Sequence, residues 1–256
     1  MLIFTTPAVI LRRIEYGDYD LILSFFTLHK GKISVIAKSA KKSVKRFSGV
    51  LEPFSLVRIV CRAGRPNTMP ILQEATIERS SVGIGSDVDK TAYAGYWAEI
   101  VHEYTEEGVA LPSVYELLTY ALEALDCENS PPEFLNLLFQ LRFLTLSGLG
   151  PNLTRCGNCR TPMHLLKQSN IRFDPAQGGL VCRRCSPGKT GPLTLSIDTI
   201  KQLEWMTHGD FQKAGRIRLT SRAINQGHNC LESFVEFCLG KKIRSLSFLR
   251  QVRKEK

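Results

Sequence analysis

The sequence predicts an α+β chain: a five-stranded β-barrel, then an α-helical domain carrying an inserted four-cysteine knuckle. Three observations carry that prediction. The first 80 residues contain five short runs rich in β-branched and aromatic residues, with turn signals between them. From about residue 87 the apolar residues recur at steps of three and four instead of two. Residues 155–185, "RCGNCRTPMHLLKQSNIRFDPAQGGLVCRRC", hold two Cys-x-x-Cys pairs separated by 22 residues.

The strands are read at "AVILRRI" (8–14), "LILSFFT" (21–27), "KISVIAK" (32–38), "FSLVRIV" (54–60) and "PILQEATI" (70–77). "LHKGK" around Gly31 is a tight hairpin, and "RAGRPNT" (62–68) is a second turn. Five short strands in residues 1–80 close most simply into a barrel, which leaves no sheet edge exposed. "KSAKKSVKRFSG" (38–49) interrupts them with five basic residues and no acid, as a loop or short helix on the rim.

The first helical stretch, residues 81–152, begins with Tyr93, Tyr96, Trp97, Ile100, Val101 and Tyr104 on one apolar face. Two capping boxes are read after it, Ser113 with Glu116 and Ser130 with Glu133. Pro131 and Pro132 fit a first helical turn, and Gly148 is expected to end that helix. These helices are expected to form a bundle. The cysteine insert covers 153–190 and is expected to project as a knuckle. "SIDTIKQLEWM" and "CLESFVEFCLG" then resume the helical period within 191–240 and pack back onto the earlier helices. Residues 241–256 are expected to be a basic tail that frays.

Charge is unevenly spread. Residues 1–80 carry 13 basic and 6 acidic side chains, net +7, whereas 81–150 carry 2 and 11, net −9. Residues 151–192 and 193–256 are each net +6. A polyanion is attracted to all but the second of these segments. The N-terminus lacks a basic start before an apolar run, so no signal peptide is read, and no stretch of about 18 apolar residues suits a membrane. A cytoplasmic protein with no membrane partner is expected.

Of eight cysteines, Cys61, Cys127, Cys230 and Cys238 lie outside the pairs and suit small core residues. In a reducing compartment the other four, Cys156, Cys159, Cys182 and Cys185, read as metal ligands. Two Cys-x-x-Cys turns facing each other complete a tetrahedron around Zn²⁺, and four thiolates leave no open position, so the ion is structural. Free thiols, a regulatory disulfide and an iron–sulfur cluster are the other readings. Arg155, Arg160, Arg183 and Arg184 flank the pairs, either to balance the charge of the centre or to reach phosphate.

No catalytic set emerges. "GKT" (188–190) lacks the leading glycine of a phosphate loop, since Arg183 stands there. His102 lies among Glu99, Glu103 and Glu106, which reads as a solvated acidic helix face in the absence of a His-Glu-x-x-His pattern. The better lead is basic: Arg12, Arg13, Lys30, Lys32, Lys38, Lys41, Lys42, Lys45 and Arg46 cluster at strand ends and connections. Tyr16, Phe25, Phe26 and Phe47 lie nearby, to fill the core or to stack bases in a groove that follows a single strand.

The order of these parts resembles the bacterial RecO recombination-mediator family over essentially the whole chain. The most specific stretches are "AVILRRIEYGDYDLILSFFTLHKGKISVIAKSAKK" and "RFLTLSGLGPNLTRCGNC". The resemblance implies a non-enzymatic DNA-repair protein whose barrel is an OB fold. It implies binding of single- and double-stranded DNA, annealing of complementary strands, and binding of the C-terminal tail of single-strand-binding protein. With the partner RecR, it implies help in loading recombinase. Arg12, Arg13, Lys38, Lys41, Lys42, Lys45 and Arg46 become the DNA-facing residues, and the helix "FLNLLFQLRFLTL" part of the groove for the partner's acidic, apolar tail. Arg142, one of only two basic residues in the net −9 segment, is the candidate for an ion pair there; its other reading is a helix charge that snorkels to solvent. Two alternatives come from other classes: an RNA-binding barrel and zinc-ribbon module in translation or ribosome assembly, and a metal-dependent nuclease or hydrolase.

Overall fold

The computed structural model describes residues 3–43, 46–63, 68–127, 130–188, 193–208 and 218–255. In chain order, β1 (Ile3–Tyr16), β2 (Asp20–Thr27), β3 (Gly31–Ala37), β4 (Leu56–Arg62) and β5 (Ile71–Arg79) come first. The helices α1 (Val82–Gly85), α2 (Val88–Tyr104), α3 (Pro112–Asp126) and α4 (Pro132–Leu146) follow. Then come β6 (Asn170–Asp174), β7 (Gly179–Val181) and β8 (Thr194–Ser196). The last elements are α5 (Ile197–His208), α6 (Ser221–Leu239) and α7 (Arg244–Lys254). The chain divides into two compact units, Met1–Glu128 with Ile243–Lys256, and Asn129–Lys242.

In the first unit the five predicted strands close into a barrel in the order β1-β2-β3-β5-β4. β1 is twice as long as the sequence suggested, 14 residues, because it serves two partners. Residues 3–9 pair with β4, and residues 8–16 pair with β2. Pro7, which argues against a strand interior, stands just before Ala8, the residue that pairs with both Val57 and Thr27. Leu11 is the extra residue of a bulge between Ile10 and Arg12, the device by which a strand bends and re-aims its side chains. Residues 8–11 are accordingly all buried, whereas Arg13–Tyr19 are exposed. Closure comes from the parallel pairing of β3 with β5 at Ile36 and Ile71. Val44 and Lys45, and most of the second predicted turn, lie outside the described residues.

The Gly31 hairpin forms as read: Gly31 has φ 62° and pairs with Thr27, whose hydroxyl donates to the Gly31 carbonyl at 2.9 Å. α2 is buried on more than the one face that its pattern gave: besides Tyr93, Tyr96 and Trp97, Ala92, Ala94 and Ala98 are at most 3% exposed. Its N-terminus is capped by Asp87, which accepts from the Lys90 N–H at 3.1 Å.

Three expectations are corrected. α3 begins at Pro112 and α4 at Pro132, and neither has a side-chain cap. A proline is pre-set for the first helical position, so Ser113 is already inside its helix and Ser130 lies one residue too early. Neither capping box forms. The basic tail is not frayed: residues 244–254 form α7, with Leu246, Leu249 and Val252 buried, in the same unit as α2. The helical stretch read as one bundle is also divided, α3 falling in the first unit and α4 in the second.

In the second unit α4 packs with α5 and α6, while β7-β6-β8 form a three-stranded antiparallel sheet. Gly227 of α6 allows close approach: a Cβ there would stand 2.9 Å from Leu137 Cδ2 of α4. Phe173 of β6 meets Phe234 of α6 edge-on at 5.4 Å. The cysteine insert is therefore built into this unit through its sheet, more than a projecting knuckle. Among the described residues no helix is long and apolar enough to cross a membrane.

Candidate metal centre and nucleic-acid interface

The sheet of the second unit brings the two cysteine pairs together. Cys182 follows β7 directly, and the Gly157 N–H donates to the Leu180 carbonyl at 2.8 Å, which holds the first pair beside that strand. Each pair is a tight turn. Arg160 N–H donates to Cys156 O at 3.0 Å, and Cys185 N–H to Cys182 O at 3.0 Å. The four sulfurs lie within 4.8 Å of one another, and Cys159 Sγ stands 3.7 Å from Cys182 Sγ. A tetrahedral zinc with bonds of about 2.3 Å sets sulfurs about 3.8 Å apart, so the set fits a four-coordinate ion.

Burial pushes the Cys156 thiol up, but the backbone N–H groups of Cys182, Cys159 and Asn158 outweigh it and hold the thiol below its ordinary value of 9.0. The Cys182 N–H reaches Cys156 Sγ at 3.4 Å. Cys159 is held at about 6, chiefly by the Thr161 hydroxyl and then its backbone N–H. Cys185 is pushed up to about 12 because it shares its proton with Cys159 and then Cys182. Such a cluster holds part of the negative charge that a divalent cation requires, and the cation draws out the rest. Cys156 and Cys182 are buried, Cys185 is half-buried and Cys159 exposed. Among the described residues this is the one set of three or more donors placed to hold a metal.

In the first unit, the tip of the β1–β2 hairpin and the segment after β3 form one ridge. Ser39 N–H donates to Asp20 Oδ1 at 2.7 Å, and Lys41 N–H to Tyr19 O at 3.0 Å. This locks the 3-10 turn Ala40–Lys42 against the hairpin. Lys42 Nζ sits 3.4 Å above the Tyr19 ring, and Arg46 donates to Lys38 O at 3.2 Å while covering the Phe47 ring. A recess of about 200 Å³ beside the ridge is lined by Arg13, Lys41, Phe47 and Glu52 among others.

The seven predicted basic residues do not share one environment. Lys38, Lys42 and Arg46 are exposed with no acidic partner among the described residues. Lys41 pairs with Glu15 at 2.8 Å and Arg13 with Glu52 at 2.9 Å, both in solvent. Arg12 pairs with Glu103 of α2 at 2.8 Å. Lys45 lies outside the described residues. Lys32 is turned inward, donating to His102 O at 2.6 Å, and Lys30 covers the Phe4 ring. Of the aromatic residues named with them, Phe25, Phe26 and Phe47 fill the core, while Tyr16 is 55% exposed. Tyr19, 45% exposed, was missed; its place in the turn "EYGDYD" was the available signal.

His102 stands beside Glu103, with Nδ1 3.4 Å from its carboxylate. Burial, then Arg12 and Lys32, hold its pKa below 6.5. Glu99 is turned to another task, receiving the backbone N–H groups of Arg244 and Ser245. Arg142 lies half-buried on α4 in the second unit.

Residues 1–81 match the family described as Recombination protein O N terminal, and residues 85–247 that described as Recombination protein O C terminal. A DNA repair protein RecO from Desulfatibacillum aliphaticivorans is 44% identical over 98% of this chain and 97% of its own. The DNA repair protein RecO of Desulfosudis oleivorans is 39% identical, covering 98% of each chain. That of Anaeromyxobacter sp. is 31% identical over 95% of this chain and 94% of its own. The two family matches and these relatives span the barrel and the helical domain nearly from end to end, and the chain belongs to the RecO family of DNA repair proteins, non-enzymatic recombination mediators.

Proposed function

We propose that this chain binds single- and double-stranded DNA on the barrel ridge, anneals complementary strands, and acts with RecR and the C-terminal tail of single-strand-binding protein to load recombinase in the cytoplasm. The observation that carries the reading is the ridge itself. Lys38, Lys42 and Arg46 project from a segment pinned to the hairpin tip, beside the exposed rings of Tyr16 and Tyr19. Cations without acidic partners attract phosphate, and nearby rings stack bases.

Arg13 and Lys41 join by exchange. Their solvent-exposed ion pairs are worth about 0–1 kcal/mol, so a phosphate displaces Glu52 or Glu15 at little cost. Arg12, held by the better buried Glu103, contributes least. Lys45 completes the set by its place in the basic run. Cations on the ridge neutralise phosphates of two strands at once, which removes the repulsion that slows pairing. Base pairing supplies the free energy, and no bond is made or broken.

Cys156, Cys159, Cys182 and Cys185 would hold Zn²⁺, whose role is structural because four thiolates fill its shell. Arg142 would meet an acidic group of the single-strand-binding protein's tail.

The test is Lys38→Glu with Lys42→Glu, measured by fluorescence anisotropy on labelled single-stranded DNA across a salt series. Each phosphate contact contributes a slope of roughly 0.7 to 0.9 in log affinity against log salt. The double variant should bind weakly, flatten the slope by roughly 1.4 to 1.8, and lose annealing of strands coated by single-strand-binding protein. Unchanged isotherms reject the ridge. Preference for RNA of the same sequence would favour the RNA-module alternative.

A further inference from the structure

The second unit holds a basic recess that the barrel reading does not use. It has a volume of about 570 Å³ and is lined by Lys167, Arg172 and Arg183 together with Gln168, Asn170, Ser186 and other small or polar residues. Among the described residues three cations line it, with no acidic side chain and no aromatic ring.

Its floor is rigid. Arg172 of β6 donates through Nη1 to Ser186 Oγ at 2.7 Å and through Nη2 to Asp174 Oδ2 at 3.2 Å, so its guanidinium is positioned before any ligand arrives. Lys167 and Arg183 stand exposed at the rim, and the Arg183 N–H is tied to Gln168 Oε1 at 3.2 Å. A fourth cation, Arg222 of α6, reaches the same wall by donating to Asn170 Oδ1 at 3.0 Å.

Charge balance at the cysteine centre does not account for these cations. A zinc tetrathiolate leaves two negative charges, whereas residues 151–192 carry a net charge of +6. Nor do the described residues make the recess a base-stacking platform, since none of those that line it carries a ring. Fixed cations around an open polar hollow suit the backbone of a nucleic acid, which positions a protein without being read for sequence.

We infer that this recess is a second DNA contact, in which Lys167, Arg172 and Arg183 hold backbone phosphate. The inference rests on the reading of the chain as a DNA-binding protein. It makes the metal centre a support for that contact: Arg183 follows Cys182 in the second cysteine turn, and Ser186 follows Cys185.

The test is Lys167→Glu with Arg183→Glu in the full chain. Both side chains are exposed, so folding, melting temperature and metal content should be retained; a milder pair, Lys167→Gln with Arg183→Gln, serves if they are not. On labelled DNA the pair should weaken binding and reduce the salt slope by roughly 1.4 to 1.8, one increment per lost phosphate. Normal affinity and slope, while Lys38→Glu with Lys42→Glu still weakens binding, would overturn the second contact alone. No binding of DNA by the native chain would overturn the functional reading and this inference with it. A separate arm titrates inorganic phosphate at fixed ionic strength. Phosphate that stabilises the native chain and not the variant, with unaltered DNA binding, would mean a free-phosphate site and reject nucleic acid as the occupant.

Discussion

Glu99 caps a helix that begins 145 residues later in the chain. From the middle of α2 its carboxylate accepts the Ser245 N–H at 2.8 Å and the Arg244 N–H at 3.2 Å. The residue before them, Ile243, offers no side-chain cap, and the orphan N–H groups of a helix start need a partner. An acceptor with full charge also complements the positive end of the helix dipole. The contact ties the C-terminal helix into the barrel unit, although Asn129–Lys242 between them belong to the other unit.

Glu99→Ala should therefore cost about 1 kcal/mol, within the range for lost caps of roughly 0.5–2, and expose α7 first. Hydrogen exchange of residues 246–252 is the measurement. Faster exchange confined to α7 is expected, and exchange equal to the native protein would reject the cap.

Gly31 provides a second test, on the β2–β3 hairpin. Its φ of 62° is left-handed, and a Cβ added there would stand 1.9 Å from the Val109 carbonyl oxygen. The loop after α2 lies against this corner, with the Gly108 N–H on Lys32 O at 3.0 Å. Gly49 has a similar φ of 68° and nothing within 4 Å. Gly49→Ala should cost only the conformational penalty of about 1–2 kcal/mol. Gly31→Ala adds a backbone clash and should cost at least about 3 kcal/mol in urea denaturation. Equal losses at the two positions would show that the Val109 contact is unimportant.

How far the residues announced this architecture depends on how local each signal is. The Gly31 hairpin, the switch from period two to period three and four, and the Cys-x-x-Cys turns are set within a few residues, and all appear. α7 was hidden because Arg244, Arg250, Arg253 and Lys254 dominate its composition, while Leu246, Leu249 and Val252 gain meaning only from what lies against them. The capping boxes failed because a proline one residue away fixed the helix start first. At the ridge, the basic run was legible; which cations are matched by Glu15, Glu52 or Glu103 was not, since those pairs span 26, 39 and 91 residues.

The metal centre gives a prediction with an internal control. Cys182 is buried within the cluster, whereas Cys127 is an exposed thiol far from it in sequence. Cys182→Ser should abolish binding of one zinc per chain and lower stability by about 3 kcal/mol or more, because metal affinity is folding free energy for such a site. Cys127→Ser should change neither. Elemental analysis and thermal melting read both effects, and a strong chelator should reproduce the first in the native protein. Iron in place of zinc, or a Cys182→Ser protein that melts normally, would refute the assignment.

The pH dependence of the barrel unit should carry the mark of His102. Burial first, then the cations Arg12 and Lys32, lower its folded pKa, and the nearby Glu103 only partly opposes them. The folded protein thus resists a proton that the unfolded chain accepts near 6.5. By linkage, the full stability is present above that pH and is lost as pH falls through the lower folded value. Glu15 has a lowered pKa too, through its hydrogen bond from Lys41, but its ordinary value is 4.5. Its contribution is present above 4.5 and fades only below it, so the two windows separate. Urea midpoints between pH 5 and 8 should fall on the acid side in the native protein, and His102→Gln should flatten that fall while leaving the steeper loss below about pH 4.5. If His102→Gln keeps the native slope between pH 5 and 6.5, the imidazole does not govern it.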